Sequence, residues 1–257
     1  MRLFPWQRDR EPEFDAPLHP ETTAMVVGDI HGRADLMLQM FTKLDTLNHN
    51  DAHLIFVGDY LDRGEDSARV LSTLYQFHTG AQPGLMTCLK GNHEQMLLDF
   101  LDAPAEHGPR WLRHGGLQTL ASFKLAVTAS PNAERDWIGL RDAFRDALDP
   151  QIEAWLRSLP LTWQSGNLFV CHAGTNPDKP ISEQSDAGLL WGHPTHYERP
   201  RKDGIWVAHG HIIVDKARPT MGRIPVDTGA YATGRLTCAI IEPGAVEFLT
   251  AVDRTQT

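Results

Sequence analysis

The run Thr23-Ala24-Met25-Val26-Val27-Gly28-Asp29-Ile30-His31-Gly32 decides how the rest of the chain is read. A short apolar stretch bounded by a glycine reads as a buried strand. The glycine lets the backbone turn sharply, and a carboxylate and an imidazole follow at once. The same grammar recurs twice. His53–Val57 leads into Gly58-Asp59-Tyr60-Leu61-Asp62-Arg63-Gly64, and Leu85–Leu89 leads into Gly91-Asn92-His93-Glu94. Helical patterns separate the three strands. Leu36, Met40, Leu44 and Leu47 share one face of Ala34–Asn48, and Val70, Leu71 and Leu74 share one face of Ser67–Phe77. Strand and helix in alternation predict βαβ units and an α/β fold. Ligands of such sheets bind at the carboxyl ends of the strands, so three loops deliver their polar groups to one point.

Outward from this core the pattern changes. Residues 1–20 are rich in proline and charge and read as a tail ahead of a single domain over 21–257. The stretch 95–160 reads as a mostly helical insertion. Leu140, Phe144 and Leu148 form one stripe, Pro150 interrupts it, and Ile152, Trp155, Leu156 and Leu159 form another. Strand-like runs follow at Asn167–Cys171, Ile205–Ala208, Ile224–Val226, Leu236–Ile241 and Ala245–Ala251. The last third lacks long helices, which predicts a second, more antiparallel sheet.

Composition excludes several classes. A net charge of −9 gives no general nucleic-acid surface. No apolar run approaches the roughly 20 residues that span a bilayer. Cys88, Cys171 and Cys238 sit in apolar runs without Cys-x-x-Cys spacing, so they read as core residues in a reducing, cytoplasmic setting. An acidic protein that binds phosphate needs local positive charge, and metal ions supply it.

The donor types fit that need. Asp, His and Asn offer oxygen and imidazole ligands suited to Mn, Fe or Zn. Two further short motifs, Cys171-His172-Ala173-Gly174 and Gly210-His211, extend the set. Phosphoryl transfer is favoured by two metals about 3.5–4 Å apart. Asp29, His31 and Asp59 are assigned to one ion, and Asp59, Asn92, His172 and His211 to the other, with Asp59 as the bridge. A water between the ions would be the nucleophile. His93, next to a ligand, is the expected general acid, with Asp62 fixing its tautomer. Arg63 offers a fork for phosphate oxygens.

These residues resemble the phosphoprotein phosphatases within the calcineurin-like metallophosphoesterases, whose signature is GDxHG, GDxxDRG and GNHE. All three blocks stand intact here. The Trp111–Gly116 and Val226–Ala230 stretches resemble the bacterial and phage serine/threonine phosphatase branch. The resemblance implies a four-layer αββα sandwich and a dinuclear centre, often run on manganese. In that branch a Gly-His-Thr histidine binds metal, which here selects His211, with His209 as the alternative. His193 stands where the branch carries an arginine that contacts phosphate, and Arg199 or Arg201 could fold back in its place. Asn92, His193 and Tyr231 join Arg63 as expected substrate contacts.

Three functions are weighed. A phosphatase acting on phosphoserine and phosphothreonine leads. A dinucleoside tetraphosphatase shares the early motifs, but tends to carry Asn-His-Asp where this chain has Glu94. A metal-binding scaffold without turnover has little use for the His93–Asp62 pair.

Overall fold

The structure, a computed structural model, describes residues 14–47, 49, 51–125 and 133–253. Residues 1–13 of the expected tail, and Asn48 at the end of the first expected helix, lie outside them. β1 (Ala24–Val27) pairs in parallel with β2 (His53–Phe56), and β2 with β3 (Met86–Cys88). Helices α1 (Ala34–Asp45) and α2 (Ser67–Gly80) make the two crossovers. The stretch that follows carries α3 (Asn92–Asp102), α4 (Pro104–Trp111), a kinked turn (Leu112–Gly116), α5 (Leu117–Ser122), α6 (Glu134–Ala147) and α7 (Pro150–Ser158). Then come β4 (Thr162–Ser165), β5 (Leu168–Cys171), α8 (Asp186–Trp191), β6 (Trp206–His209), β7 (Arg223–Pro225), α9 (Ala230–Thr233), β8 (Arg235–Glu242) and β9 (Ala245–Val252).

The strands form two sheets, ordered β3-β2-β1-β8-β9 and β4-β5-β6-β7. Side chains alternate across a strand, and the alternation defines the layers. Ala24, Val26, Ile55 and Val57 face inward and meet Leu168, Val170, Ala208 and Ile224 of the second sheet. Met25, Val27, Phe56 and Cys88 point the other way, onto Met37, Leu71, Leu74 and Leu97 of the helices. On the outer face of the second sheet, Phe169, Cys171 and Val207 pack with Leu189 of α8. Helix, sheet, sheet and helix follow in order, the four-layer αββα sandwich that the resemblance implies.

Two expectations need correction. The second sheet is not the more antiparallel one: β5-β6 and β6-β7 are parallel, and only β4-β5 is antiparallel. The long antiparallel strands β8 and β9 instead join the first sheet beside β1. Residues 14–20 do not behave as a tail. Leu18 is buried in the core between the sheets, Trp206 donates its indole N–H to Ala16, and Asn167 accepts from the backbone of His19. No helix among the described residues is long and apolar enough to cross a membrane.

Candidate metal centre

The loops after β1, β2 and β3 are packed backbone on backbone. A Cβ on Gly58 would stand 2.4 Å from the amide nitrogen of Gly91, and one on Gly64 would stand 2.1 Å from the carbonyl oxygen of His31. Only glycine permits these approaches. Asp59 accepts the N–H groups of Ile30 and His31 on its carbonyl, at 3.1 and 2.9 Å, which ties the first loop to the second. Among the described residues seven non-glycines have positive φ, and five of them are His31, Asp59, Asp62, Arg63 and His211. Strain of this kind persists where surrounding contacts over-determine it, and it clusters at functional sites.

The side chains converge on Asp59. His31 Nε2 stands 3.5 Å from Asp59 Oδ2, and His172 Nε2 stands 3.4 Å from Asp59 Oδ1. Asn92 Oδ1 lies 2.8 Å from His172 Nε2 and 2.9 Å from His211 Nδ1. His31, Asp59 and His93 form one group able to hold a metal ion; Asp59, His172 and His211 form a second. Asp29 adjoins them, its carboxylate accepting the backbone N–H of His211 at 3.1 Å. Asp29, His31, Asp59, Asn92 and His172 are all buried. Asp59 belongs to both groups.

Tautomers test whether a cation fits. His31 Nδ1 donates to the carbonyl of Leu61 at 2.9 Å, and His172 Nδ1 donates to that of Val57 at 3.0 Å. Burial drives both imidazoles towards the neutral form, His172 down to about 3. Their Nε2 atoms therefore carry lone pairs, and those lone pairs face carboxylate and amide oxygens. Acceptor faces acceptor in a buried space, an arrangement that a divalent ion relieves. A backbone carbonyl that fixes the far nitrogen is also the usual support of a metal-binding histidine. Burial and the neighbouring Asp227 push the Asp29 carboxyl well above the usual range, a tendency that a bound cation opposes.

His93 Nδ1 lies 2.7 Å from Asp62 Oδ2. Its Nε2 is buried without a partner and stands 3.9 Å from Asp59 Oδ2. Burial lowers the imidazole to about 4, opposed by the charge of Asp59. Arg63 lies over the ring of Tyr231 at 4.9 Å, and that ring meets His31 edge-on at 5.2 Å. Arg63 and Tyr231 together line a cavity of about 410 Å³ with Arg33, Asp35, Glu65, Asp66 and Asp253.

The remaining expected residues divide. His211 reaches Asp59 and His172; His209 bonds to Gly210 next to it and packs edge-on to His196 at 4.8 Å, away from the cluster. His193 bonds to Thr195 in its own turn at 2.8 Å. Neither Arg199 nor Arg201 folds back over the site as expected. Arg199 pairs with Asp178, and Arg201 is buried against Asp203, Thr175 and the carbonyls of Asn176 and Lys179. Local carboxylates and carbonyls win both guanidinium groups.

Sequence reading gave no role to four residues that shape the site. Glu94 accepts from the backbones of Asp59, Tyr60 and Gly91. Asp227 is buried within hydrogen-bond reach of Asp29. Trp111 and Thr119 both bond to Asp62. Three of the four lie inside quoted motifs, which was the available signal.

Comparison with known proteins places this architecture. Residues 22–228 match the calcineurin-like phosphoesterase family, and the chain belongs to it. It is a metallophosphoesterase, a hydrolase of a family built on a dinuclear metal centre. The chain is 36% identical over 228 residues to serine/threonine-protein phosphatase 1 of Salmonella typhimurium, covering 84% of this chain and 91% of that protein. It is 26% identical over 235 residues to the asymmetrical bis(5'-nucleosyl)-tetraphosphatase PrpE of Bacillus velezensis, covering 82% and 86%. Among solved structures, a cold-active protein-tyrosine phosphatase of a Shewanella species superposes with a TM-score of 0.59 at 17% identity, covering 89% of this chain and 80% of that one. At that identity the likeness speaks for the fold alone.

Proposed function

We propose that this chain hydrolyses phosphomonoesters of serine and threonine in proteins. The observation that carries the reading is the buried His93–Asp62 pair, with His93 Nε2 unpartnered beside Asp59. A serine or threonine alkoxide is a poor leaving group and needs a proton as the P–O bond breaks. The leaving group of a dinucleoside polyphosphate is itself a phosphate and needs little help. A general acid built this deeply therefore favours the monoester. The relative named serine/threonine-protein phosphatase 1, at 36% identity, supports the same choice.

In this reading Asp29, His31, Asp59, Asn92, His172 and His211 hold two divalent ions, manganese first, with iron or zinc as alternatives. When bound, the ions polarise the phosphoryl oxygens and activate the attacking water. Arg63 takes two phosphate oxygens, steadied by the Tyr231 ring, while Asn92 and His193 complete the phosphate contacts. His93 gives its Nε2 proton to the leaving oxygen, and Asp62 holds the imidazolium. An anionic phosphate beside Nε2 raises the proton affinity of His93 and offsets its burial. Three buried, unpaired thiols support a cytoplasmic setting.

A second reading, a dinucleoside tetraphosphatase, draws on the PrpE relatives, which match over 82% of the chain. The cavity beside Arg63 argues against it. Arg33 is already held by Asp35 and Asp253, which leaves Arg63 as the one lining cation among the described residues to set against Glu65 and Asp66 along a polyphosphate. The test is metal analysis of the purified protein, followed by rates on a phosphopeptide, p-nitrophenyl phosphate and diadenosine tetraphosphate. Each is measured after chelation and after return of Mn, Fe or Zn. Highest kcat/KM on the phosphopeptide is expected; preference for the tetraphosphate overturns the proposal.

A further inference from the structure

Asp62 has no exposed surface and is saturated with donors. Thr119 Oγ1 donates to its Oδ1 at 2.6 Å. The indole N–H of Trp111 is shared between its two oxygens, each at 3.1 Å. Oδ2 faces His93 Nδ1 at 2.7 Å. The same Thr119 oxygen accepts the backbone N–H of Asp62 at 3.0 Å, so one hydroxyl grips both ends of the residue. Ser67 Oγ accepts that N–H as well, at 3.1 Å.

The geometry of the segment that brings Trp111 and Thr119 here is unusual. In an unbroken α-helix, residues eight apart lie about 12 Å along the axis and about 80° around it. Two such side chains do not reach one carboxylate easily. Here a kink within Leu112–Gly116 intervenes, with Gly115 at φ 112°, outside the helical range, and it bends the chain so that both do. At the bend, the carbonyl of Gly115 accepts the N–H of Arg63 at 3.3 Å.

We propose that Trp111 and Thr119 are positioning residues of the reaction: they aim His93 through Asp62. Indole is a donor only, and the Thr119 hydroxyl donates, so the carboxylate must meet both with lone pairs. Asp62 is thereby held as an acceptor towards His93 Nδ1–H. That fixes the ring and leaves Nε2 as the atom that carries the transferable proton. The helices between α3 and β4, which supply none of the proposed metal-binding groups, thus set the direction of proton delivery. The inference rests on His93 being the general acid.

The experiment separates the two ideas. Phenyl phosphate has a poor leaving group and needs the acid; p-nitrophenyl phosphate has a good one and needs it less. Thr119→Val keeps the shape and removes the hydroxyl, Thr119→Ser returns it, and Trp111→Phe keeps the ring and removes the N–H. Thr119→Val and Trp111→Phe are expected to lower kcat on phenyl phosphate by about tenfold, a modest part of the 10²–10⁴ of general-acid catalysis, with a smaller loss on p-nitrophenyl phosphate. KM should change little, and Thr119→Ser should recover most of the loss. His93→Asn is the control and should show the same asymmetry, larger. If His93→Asn loses equally on both substrates, the general-acid reading falls and this inference with it. If His93→Asn is asymmetric while Thr119→Val and Trp111→Phe lose equally on both, the positioning role alone is overturned. The two variants perturb different elements, so failure of one to fold leaves the other to decide.

Discussion

Glu94 locks Asp59 in place: its Oε2 accepts the backbone N–H of Asp59 at 2.8 Å and that of Gly91 at 2.8 Å, while Oε1 takes that of Tyr60 at 2.8 Å. One buried carboxylate therefore joins the loop after β2 to the start of α3, and so registers Asp59 against Asn92. Burial and the charge of Asp59 push Glu94 up to about 8, against the three N–H donors. Glu94→Gln replaces one acceptor oxygen by an amide NH₂ that must face an N–H. The expected cost is about 1–3 kcal/mol, the penalty of one unsatisfied buried donor, read from the urea unfolding midpoint. Glu94→Asp is one methylene shorter and cannot span both loops, so it should lose kcat as well. A variant as stable and active as the parent refutes the coupling.

What the sequence revealed depended on how locally each feature is encoded. β1, β2 and the three glycine-rich motifs were legible because an apolar run and its following donors are contiguous in the chain. β4 was missed because Thr162-Trp163-Gln164-Ser165 is a half-exposed edge strand with a polar residue in most places. The membership of β8 in the first sheet was hidden for another reason. Nothing in Leu236–Ile241 states that it will lie beside Ala24–Val27 rather than beside β7, its neighbour in the chain. The candidate ligands were chosen from donor chemistry and their place after the strands, with His211 preferred to His209 by the resemblance. The supporting contacts were not legible, because Trp111 and Thr119 reach Asp62 from 49 and 57 residues away.

Metal removal should cost stability as well as activity. The lone pairs of His31 and His172 and the oxygens of Asp59 and Asn92 repel one another without a cation between them. An ion held at 100 times its dissociation constant adds about 2.7 kcal/mol to the folded state. Chelation should lower Tm, and manganese should restore it in a concentration-dependent way. A Tm indifferent to chelation means that the cluster does not bind metal tightly.

Arg63 is seated between Gly115 and Tyr231. A Cβ on Gly115 would stand 2.5 Å from the Arg63 amide nitrogen, at a φ of 112° that disfavours any side chain. Gly115→Ala should therefore displace Arg63 and raise KM for phosphopeptide. Tyr231→Ala removes the ring under the guanidinium and should raise KM by about two- to fivefold, the scale of an exposed cation–π contact of about 0.5–1 kcal/mol. Tyr231→Phe keeps the ring and should leave KM near the parent value. Equal KM in the alanine and phenylalanine variants removes the ring from the binding account.

His193 follows Gly192, whose Cβ position lies 3.2 Å from the carbonyl of Ala173, next to His172. An arginine there would present a planar fork of donors to phosphate oxygens. His193→Arg should therefore lower KM for phosphopeptide. No gain counts against a phosphate contact at this position.

His196 gives the fold its own pH dependence, away from the metal cluster. It is 2% exposed. Burial, then the charges of His209 and Arg223, lower its imidazole from 6.5 to about 2. The folded chain thus keeps it neutral, whereas the unfolded chain protonates it below about 6.5. Unfolding then takes up a proton, so stability falls as pH drops, starting near 6.5 and continuing towards 2. The slope from one such group is about 1.4 kcal/mol per pH unit at most. His196→Asn keeps an acceptor near Nδ1, where Thr175 N–H donates at 3.3 Å, and removes the titration. Urea midpoints of parent and variant between pH 5 and 8 should run parallel above 6.5 and diverge below it, with the variant the shallower. Parallel curves throughout would mean that His196 takes its proton in the folded state and that its pocket admits water.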